Sequence, residues 1–481
     1  MRLEQAFSLL TELERRQIAT HLEWETIQLW PLIRQCLWFA LLDEQPVPVP
    51  APAEARSAKL VRHFRKAWRY LSGARDFAIP PASDAQLMFV SRPVYLQKTP
   101  GGKLFDRIVD PIIFARDAAL SCEKFYVSPW QQGEDLQFEA RCLLPARATL
   151  SVGFDPDGEG KLAELATQAG IDAIRFVQRC HQGLQAFSRW YATGIRLFSR
   201  RPQLQAIYLT SWYFPDMMGL AAAARSRGIV VIDVQHGKQG RYQGMYSGWG
   251  NIPSQGYEMM PDRFWCWGQP SCDHILASSP ERVLHRPFVG GFPWLDYYRK
   301  HISTVAQDDG RASGKSKCVL VTTQPRQSAN TEPLPEFIID YLRSAPVDVH
   351  LVIRCHPNDS VGPDYCRQRL ADIPAHLYSI DSGKSNLYDR LLSATHHITA
   401  YSSCCYEASV FGVPTLLFGH DARVIYAEEI ESGEFSWTEG NMDYLMGWLS
   451  GVIPLAALKG GESGAYIESS LARVGELLAR G

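Results

Sequence analysis

A chain of 481 residues is too long for one hydrophobic core, so two or three domains are expected. Its 46% apolar and 21% charged residues are ordinary for a soluble globular protein, and a net charge of -2 argues against general nucleic-acid binding, which needs a clear basic excess. The 11 cysteines are scattered, with Cys404-Cys405 the only close pair and no C-x-x-C spacing, so neither a zinc knuckle nor a thioredoxin-type site is suggested.

Residues 1–85 read as a helical N-terminal extension with a proline-rich linker. The start, Met1-Arg2-Leu3-Glu4-Gln5, is polar, and no signal-peptide core follows it. Free thiols in a reducing cytoplasm are therefore expected. The apolar stretch Leu29–Leu42 is interrupted by Arg34 and is too short to span a bilayer. Pro46-Val47-Pro48-Val49-Pro50-Ala51-Pro52 is the linker. Arg56–Arg75 then carries no acidic residue and places Leu60, Val61, Phe64, Trp68 and Leu71 on one helical face. Such a basic amphipathic helix suits the anionic inner face of a membrane, and an ordinary packed helix with a solvated basic face is the competing reading.

From Gln86 the pattern becomes α/β. Strands are expected at Leu87–Val90, Ala206–Thr210, Ile229–Val234 and Arg263–Gly268, with a long helix from Ala163 to Leu197 and a small-residue helix from Met217 to Arg227, and Phe288–Pro293 closes this half. The loop after the first strand holds Arg92, Lys98, Gly101, Gly102, Lys103 and Arg107, glycines and cations that could meet an anionic substrate or form a plain surface loop. Residues 86–303 form the first Rossmann-like domain, the acceptor domain in this reading. The polar stretch 304–317 is the linker. Residues 318–481 form a second Rossmann-like domain for a nucleotide-sugar, with strands at Cys318–Thr323, Val349–Arg354, His397–Ala400 and Thr415–Phe418. A C-terminal helix from Gly464 to Arg480 could pack back across the domain boundary. Strands alternating with helices in both halves predict an α/β chain of two parallel-sheet domains facing a cleft.

Chemistry-bearing residues fall at strand ends and helix starts. The run Ile229–Val234 stops at Gln235-His236-Gly237, and a neutral histidine there can take a proton from a hydroxyl. Asp216, just past a strand end and beside a helix start, is a second candidate base, or a helix cap. Arg354-Cys355-His356-Pro357 offers Arg354 and His356 to phosphate oxygens. Ser402 and Ser403 precede a helix whose first amides suit an anion or are simply capped, and Glu407, one turn inside, could bind a sugar hydroxyl. The aromatic loop Arg241–Tyr257 carries Tyr242, Tyr246 and Trp249, expected to contact an acceptor.

The order Gln-His-Gly, Gly-Phe-Pro, His-Pro, Ser-Ser-x-x-x-Glu-Ala and Gly-Val-Pro, over about residues 200 to 430, resembles the GT-B glycosyltransferases of bacterial capsule and lipopolysaccharide assembly, Kdo transferases above all. The layout is also similar to that of teichoic acid glycerophosphotransferases, but Gln235 stands where those carry Trp, and no Thr-Asp precedes Tyr401-Ser402-Ser403. The resemblance implies a GT-B fold and transfer of a sugar, CMP-Kdo being the leading donor, to a hydroxyl of a growing polysaccharide or lipid-linked glycan. It also implies that His356, Ser402 and Ser403 contact the nucleotide phosphate, and that His236 acts as base as in the phosphotransferases. No DxD motif stands in a metal context, so neither metal nor cofactor is expected. A CDP-glycerol-type phosphotransferase, a nucleotide-sugar epimerase on the same scaffold and a non-catalytic subunit of an assembly complex are the alternatives.

Overall fold

The computed structural model describes residues 1–42, 80–99, 101–129, 135–146, 152–298, 300, 317–324, 332–344, 346–356, 359, 361–383, 386–453, 471 and 474–479. The proline linker, the basic stretch Arg56–Arg75, Pro357 and all but the last residue of the 304–317 linker lie outside them.

Two parallel sheets carry the chain. The first comprises β1 (Leu87–Ser91), β2 (Cys122–Tyr126), β3 (Arg141–Cys142), β4 (Ala206–Thr210), β5 (Val230–Val234), β6 (Arg263–Cys266) and β7 (Arg286–Val289), in the order β7-β6-β5-β4-β1-β2-β3. The second comprises β8 (Lys317–Thr322), β9 (Val349–Arg354), β10 (Tyr378–Asp381), β11 (His396–Thr399), β12 (Thr415–Phe418) and β13 (Ser436–Thr438), in the order β10-β9-β8-β11-β12-β13. Every pairing within both is parallel. Each is therefore Rossmann-like, with its switch point between the first and fourth strands, β1/β4 and β8/β11. Ligands in such sheets sit beyond the carboxyl ends of strands near that point, where β4, β5, β9 and β11 terminate.

Buried strands of this kind read as continuous apolar runs, and β4 is buried throughout. The helix expected from Ala163 to Leu197 is two helices, α3 (Pro156–Ala169) and α4 (Ala173–Phe198). Gly170, at φ +68°, ends the first in the left-handed region, and Asp172 caps the second through the Arg175 amide at 3.0 Å. The small residues of α5 (Pro215–Arg225) let it pack tightly on α4. A Cβ on Gly219 would come within 2.7 Å of the Phe187 carbonyl oxygen and the Tyr191 amide nitrogen.

The N-terminal segment is part of the first domain's core. α1 (Leu3–Arg16) and α2 (Trp30–Leu42) bury Leu10, Leu13, Leu32 and Leu37 in one cluster with Leu162, Leu165, Cys180 and Leu184 of α3 and α4. Arg34, which breaks the apolar stretch in the sequence, is fully buried. Its Nη1 reaches Glu14 Oε2 at 2.7 Å, and its Nε and Nη2 donate to the carbonyls of Gly244 and Ser247, both at 3.0 Å. Trp30 Nε1 donates to the other Glu14 oxygen at 3.0 Å. In the second half of the chain, the helix Val474–Ala479 returns to the first domain, where Val474 and Leu478 are buried and Gly475 lies against Ala115. No helix among the described residues is long and apolar enough to cross a membrane.

Two stability measurements follow. Arg34→Met leaves Glu14 buried without its cation and should cost about 3–5 kcal/mol in chemical denaturation followed by tryptophan fluorescence. A loss under about 1 kcal/mol would remove the pair from any structural role. His285 is fully buried; its Nδ1 is 2.6 Å from the Pro261 carbonyl and its Nε2 accepts from the Tyr257 amide at 2.9 Å, which fixes a neutral ring. Burial pushes it down to about 3, against an ordinary value of 6.5. The unfolded chain takes up a proton below pH 6.5 that the folded chain refuses, so this stability is present above pH 6.5 and lost as pH falls. The cost of His285→Gln at pH 7.5 should therefore shrink by about 2 kcal/mol at pH 5.

Candidate active site

β5 delivers His236 to the cleft through a turn that Gln235 builds. The Gln235 amide is used at both ends, donating to the Gly237 carbonyl at 2.8 Å and accepting from the Trp267 amide at 2.7 Å, while its own carbonyl takes Trp267 Nε1 at 2.9 Å. Gln235 thus shapes the turn from within and is wholly buried. His236 Nε2 lies 3.2 Å from Ser211 Oγ and 3.4 Å from the Tyr213 hydroxyl, and Ser211 is itself 2.8 Å from the Tyr95 hydroxyl. Burial, then Arg107 and Arg92, push His236 down to about 3, so the ring is neutral at physiological pH.

Asp216 does not have the freedom of a base. Its Oδ1 pairs with Arg92 Nη2 at 2.5 Å and accepts the Met217 amide at 2.8 Å, so the carboxylate anchors Arg92 and its own helix start. Arg92 in turn lies over the Phe214 ring, 4.5 Å from its centroid.

From the second domain, Arg354 ends β9 nearly buried. It is occupied by Asp381 Oδ2 at 2.9 Å and the Gly383 carbonyl at 3.0 Å. The expectation that it grips a phosphate is therefore corrected to a framework role that ties β9 to the end of β10, with its charge acting at a distance. His356 follows it, partly buried, its backbone amide donating to Thr323 Oγ1 at 3.3 Å. Burial lowers His356, Asp359 opposes this, and Arg107 and Arg354 lower it further. Ser403 is the N-cap of α6 (Cys404–Val410) without using its side chain, whereas Ser402 Oγ accepts the Cys404 amide at 3.3 Å.

Glu407 is buried and accepts from the Tyr388 hydroxyl at 2.7 Å and from Arg107 Nη1 at 3.0 Å. Its Oε2 has no hydrogen-bond partner. Arg107 comes from the first domain, so this ion pair crosses the cleft. The sequence reading named Arg107 only as one cation in a loop; the structure makes it the charge that acts on His236, His356 and Cys404 together. A second bridge joins Lys238 Nζ to Glu429 Oε1 at 2.6 Å, with Lys238 4.4 Å from the centroid of Tyr426.

The aromatic loop divides. Tyr242 borders a cavity in the cleft. Tyr246 and Trp249 are 2% and 1% exposed and cannot touch a ligand. Tyr246 donates to Asp233 Oδ2 at 2.9 Å, and Trp249 Nε1 donates to the Met245 carbonyl at 3.2 Å while its ring lies under Arg34 at 4.3 Å. Both are core residues that hold the loop, and the acceptor expectation for them is corrected. Among the described residues no group of three or more His, Cys, Asp or Glu could hold a metal ion.

No family model matches the sequence, and no curated protein does. Among solved structures, the chain is similar to a putative UDP-N-acetylglucosamine 2-epimerase from Listeria monocytogenes at 13% identity and a TM-score of 0.51, over 82% of this chain and 95% of that one. It is similar to another UDP-N-acetylglucosamine 2-epimerase at 13% identity and a TM-score of 0.51, over 83% and 96%. These likenesses show the fold: two Rossmann-like domains in the GT-B arrangement.

The bridge across the cleft is measurable by a double-mutant cycle. Arg107→Met strands the buried Glu407 and should cost about 3 kcal/mol, and adding Glu407→Leu should restore much of it. A coupling energy below about 0.5 kcal/mol would mean that this pair does not hold the domains together.

Proposed function

We propose that this protein is a glycosyltransferase that moves a sugar from a nucleotide-activated donor to a hydroxyl of a surface polysaccharide or lipid-linked glycan. One observation carries the reading: each domain ends a strand next to a histidine, His236 and His356, and Arg107 of the first domain crosses the cleft to Glu407 of the second at 3.0 Å. A transfer with a departing phosphate needs a base on the acceptor side and positive charge on the donor side, and this arrangement supplies both.

In this reading the donor lies against the second domain. His356 with Ser402 and Ser403 meets the phosphates, while Glu407, 1% exposed, holds Arg107 and Tyr388 in place and does not itself meet the donor. Arg107 and Arg92 meet the charge that grows on the leaving phosphate, with Arg354 behind them. His236 takes the proton of the acceptor hydroxyl as its oxygen attacks the anomeric carbon and the bond to the phosphate breaks. Burial, then Arg107 and Arg92, keep His236 neutral and so able to accept that proton. Placement at the inner membrane face through Arg56–Arg75 belongs to the same proposal, as do the surface-glycan acceptor and the CMP-Kdo donor.

A UDP-sugar has independent support, because two solved structures of similar fold are named for a UDP-N-acetylglucosamine enzyme. The same names favour epimerisation as the second reading. Against it, the carboxylates of Asp216, Glu407 and Glu429 are all engaged in ion pairs.

Incubation with UDP-N-acetylglucosamine, other UDP-sugars, CMP-Kdo and CDP-glycerol, followed by nucleotide release and product analysis, separates these readings. One sugar donor should be consumed with nucleotide release. His236→Ala should lower kcat by about 10²–10⁴-fold while keeping the melting shift given by that nucleotide. His356→Ala should weaken that shift. Conversion of UDP-N-acetylglucosamine without nucleotide release would replace the transferase by an epimerase, and consumption of CDP-glycerol alone by a phosphotransferase. No turnover and no melting shift with any compound would leave the non-catalytic subunit.

A further inference from the structure

The carboxyl end of α2 reaches the cleft. Phe39 and Leu42 of this helix form one wall of a cavity of about 340 Å³, Tyr213 and Tyr242 of the first domain a second, and Tyr401 and Tyr426 of the second domain a third. The N-terminal helical pair is thus a wall of the cleft itself. It is joined to the site's cations by a stack: Phe39 lies 6.2 Å from Phe214 at 16°, Phe214 carries the Arg92 guanidinium, and Arg92 is held by Asp216.

We infer that this chamber binds a pyranose ring of the acceptor, with Phe39 and Leu42 of the N-terminal helical pair setting which acceptor fits. The inference rests on the transferase reading and names the acceptor class for that same site. The volume is at the small end for a small-molecule site, room for roughly one or two sugar rings. Among the wall residues Tyr213, Tyr242 and Tyr401 are partly exposed and offer a flat ring to the C–H face of a sugar, whereas Tyr426 is fully buried beneath Lys238. The chamber meets the reacting groups at two points: Tyr213, whose hydroxyl is 3.4 Å from His236 Nε2, and Ser403 at the start of α6. Tyr213 thus stands between the chamber and His236.

The neighbouring space decides between a glycan and a lipid tail. A second cavity of about 610 Å³ shares Lys238, Arg241, Tyr242 and Ile425 with the first and is bordered by Glu4, His274, His420, Arg423, Glu428 and Glu431. The way out of the chamber is thus charged on both signs. It suits the solvated continuation of a polar glycan and opposes an alkyl chain, which loses hydrophobic stabilisation against such a wall.

Saturation-transfer NMR on the full chain tests this with methyl pyranosides (glucoside, galactoside, mannoside, N-acetylglucosaminide and glucuronide) and with n-octyl β-D-glucopyranoside. Ring C–H protons of at least one methyl pyranoside should receive saturation, and the effect should fall at least fivefold in Phe39→Ala and in Leu42→Ser. Both variants should keep the wild-type melting temperature shift with nucleotide, which separates loss of the chamber from loss of the fold. No signal from any methyl pyranoside, equal signals in both variants, or saturation confined to the octyl chain would each overturn the inference. A wild-type protein whose melting temperature no nucleotide shifts would remove the transferase reading alone, because dependence of pyranoside binding on Phe39 is read without a donor.

Discussion

The buried guanidinium of Arg34 is the constraint on which the cleft depends. Three of its donors are directed: one to Glu14, two to the carbonyls of Gly244 and Ser247. A loop rich in glycine and aromatics has few ways to satisfy its own backbone, and an unpaired buried carbonyl costs about as much as a lost hydrogen bond. Arg34 meets two of those carbonyls from a neighbouring helix, and its face lies over Trp249. Glu14 completes the clamp by accepting from Trp30 and, at 3.3 Å, from the Gly250 amide. The loop that leaves His236 is thereby held to α1 and α2, and Tyr242 stays at the cleft while Tyr246 points inward to Asp233. That inward hydroxyl matters, because burial raises Asp233 to about 8 and it needs donors whatever its charge.

Across the cleft, charge does what apolar contact does inside each domain. Arg107–Glu407 and Lys238–Glu429 bring basic groups of the first domain onto acids of the second. Ion pairs of this kind are poor sources of net stability but strict about geometry, since a stranded partner is costly. Arg107 also lowers both strand-end histidines, after burial, so the contact across the cleft and part of the field at those strand ends come from one guanidinium.

The physical limits of reading a sequence show at particular residues. The spacing of Tyr242, Tyr246 and Trp249 says nothing of which side of the loop faces solvent, because a non-repetitive backbone imposes no period. Asp216 and Arg354 look like chemistry in the sequence, since a charged residue at a strand end usually is. Their partners, Arg92 and Asp381, are 124 and 27 residues away. The Ala163–Leu197 stretch has unbroken helical periodicity on either side of Gly170, so only the left-handed turn there reveals two helices.

What the sequence determined by itself is the frame. Buried parallel strands must be nearly continuous apolar runs, so their positions, their alternation with helices and the polar residues at their ends, His236 and His356 among them, are local properties. What only the tertiary structure decided is which charges are already engaged and which aromatics face the cleft. Arg107 meets Glu407 across 300 residues of chain, and Arg34 meets the Ser247 carbonyl across 213. No local pattern encodes such pairs, because they come from two separately formed domains, or a helix and a distant loop, brought together by burial of apolar surface around them.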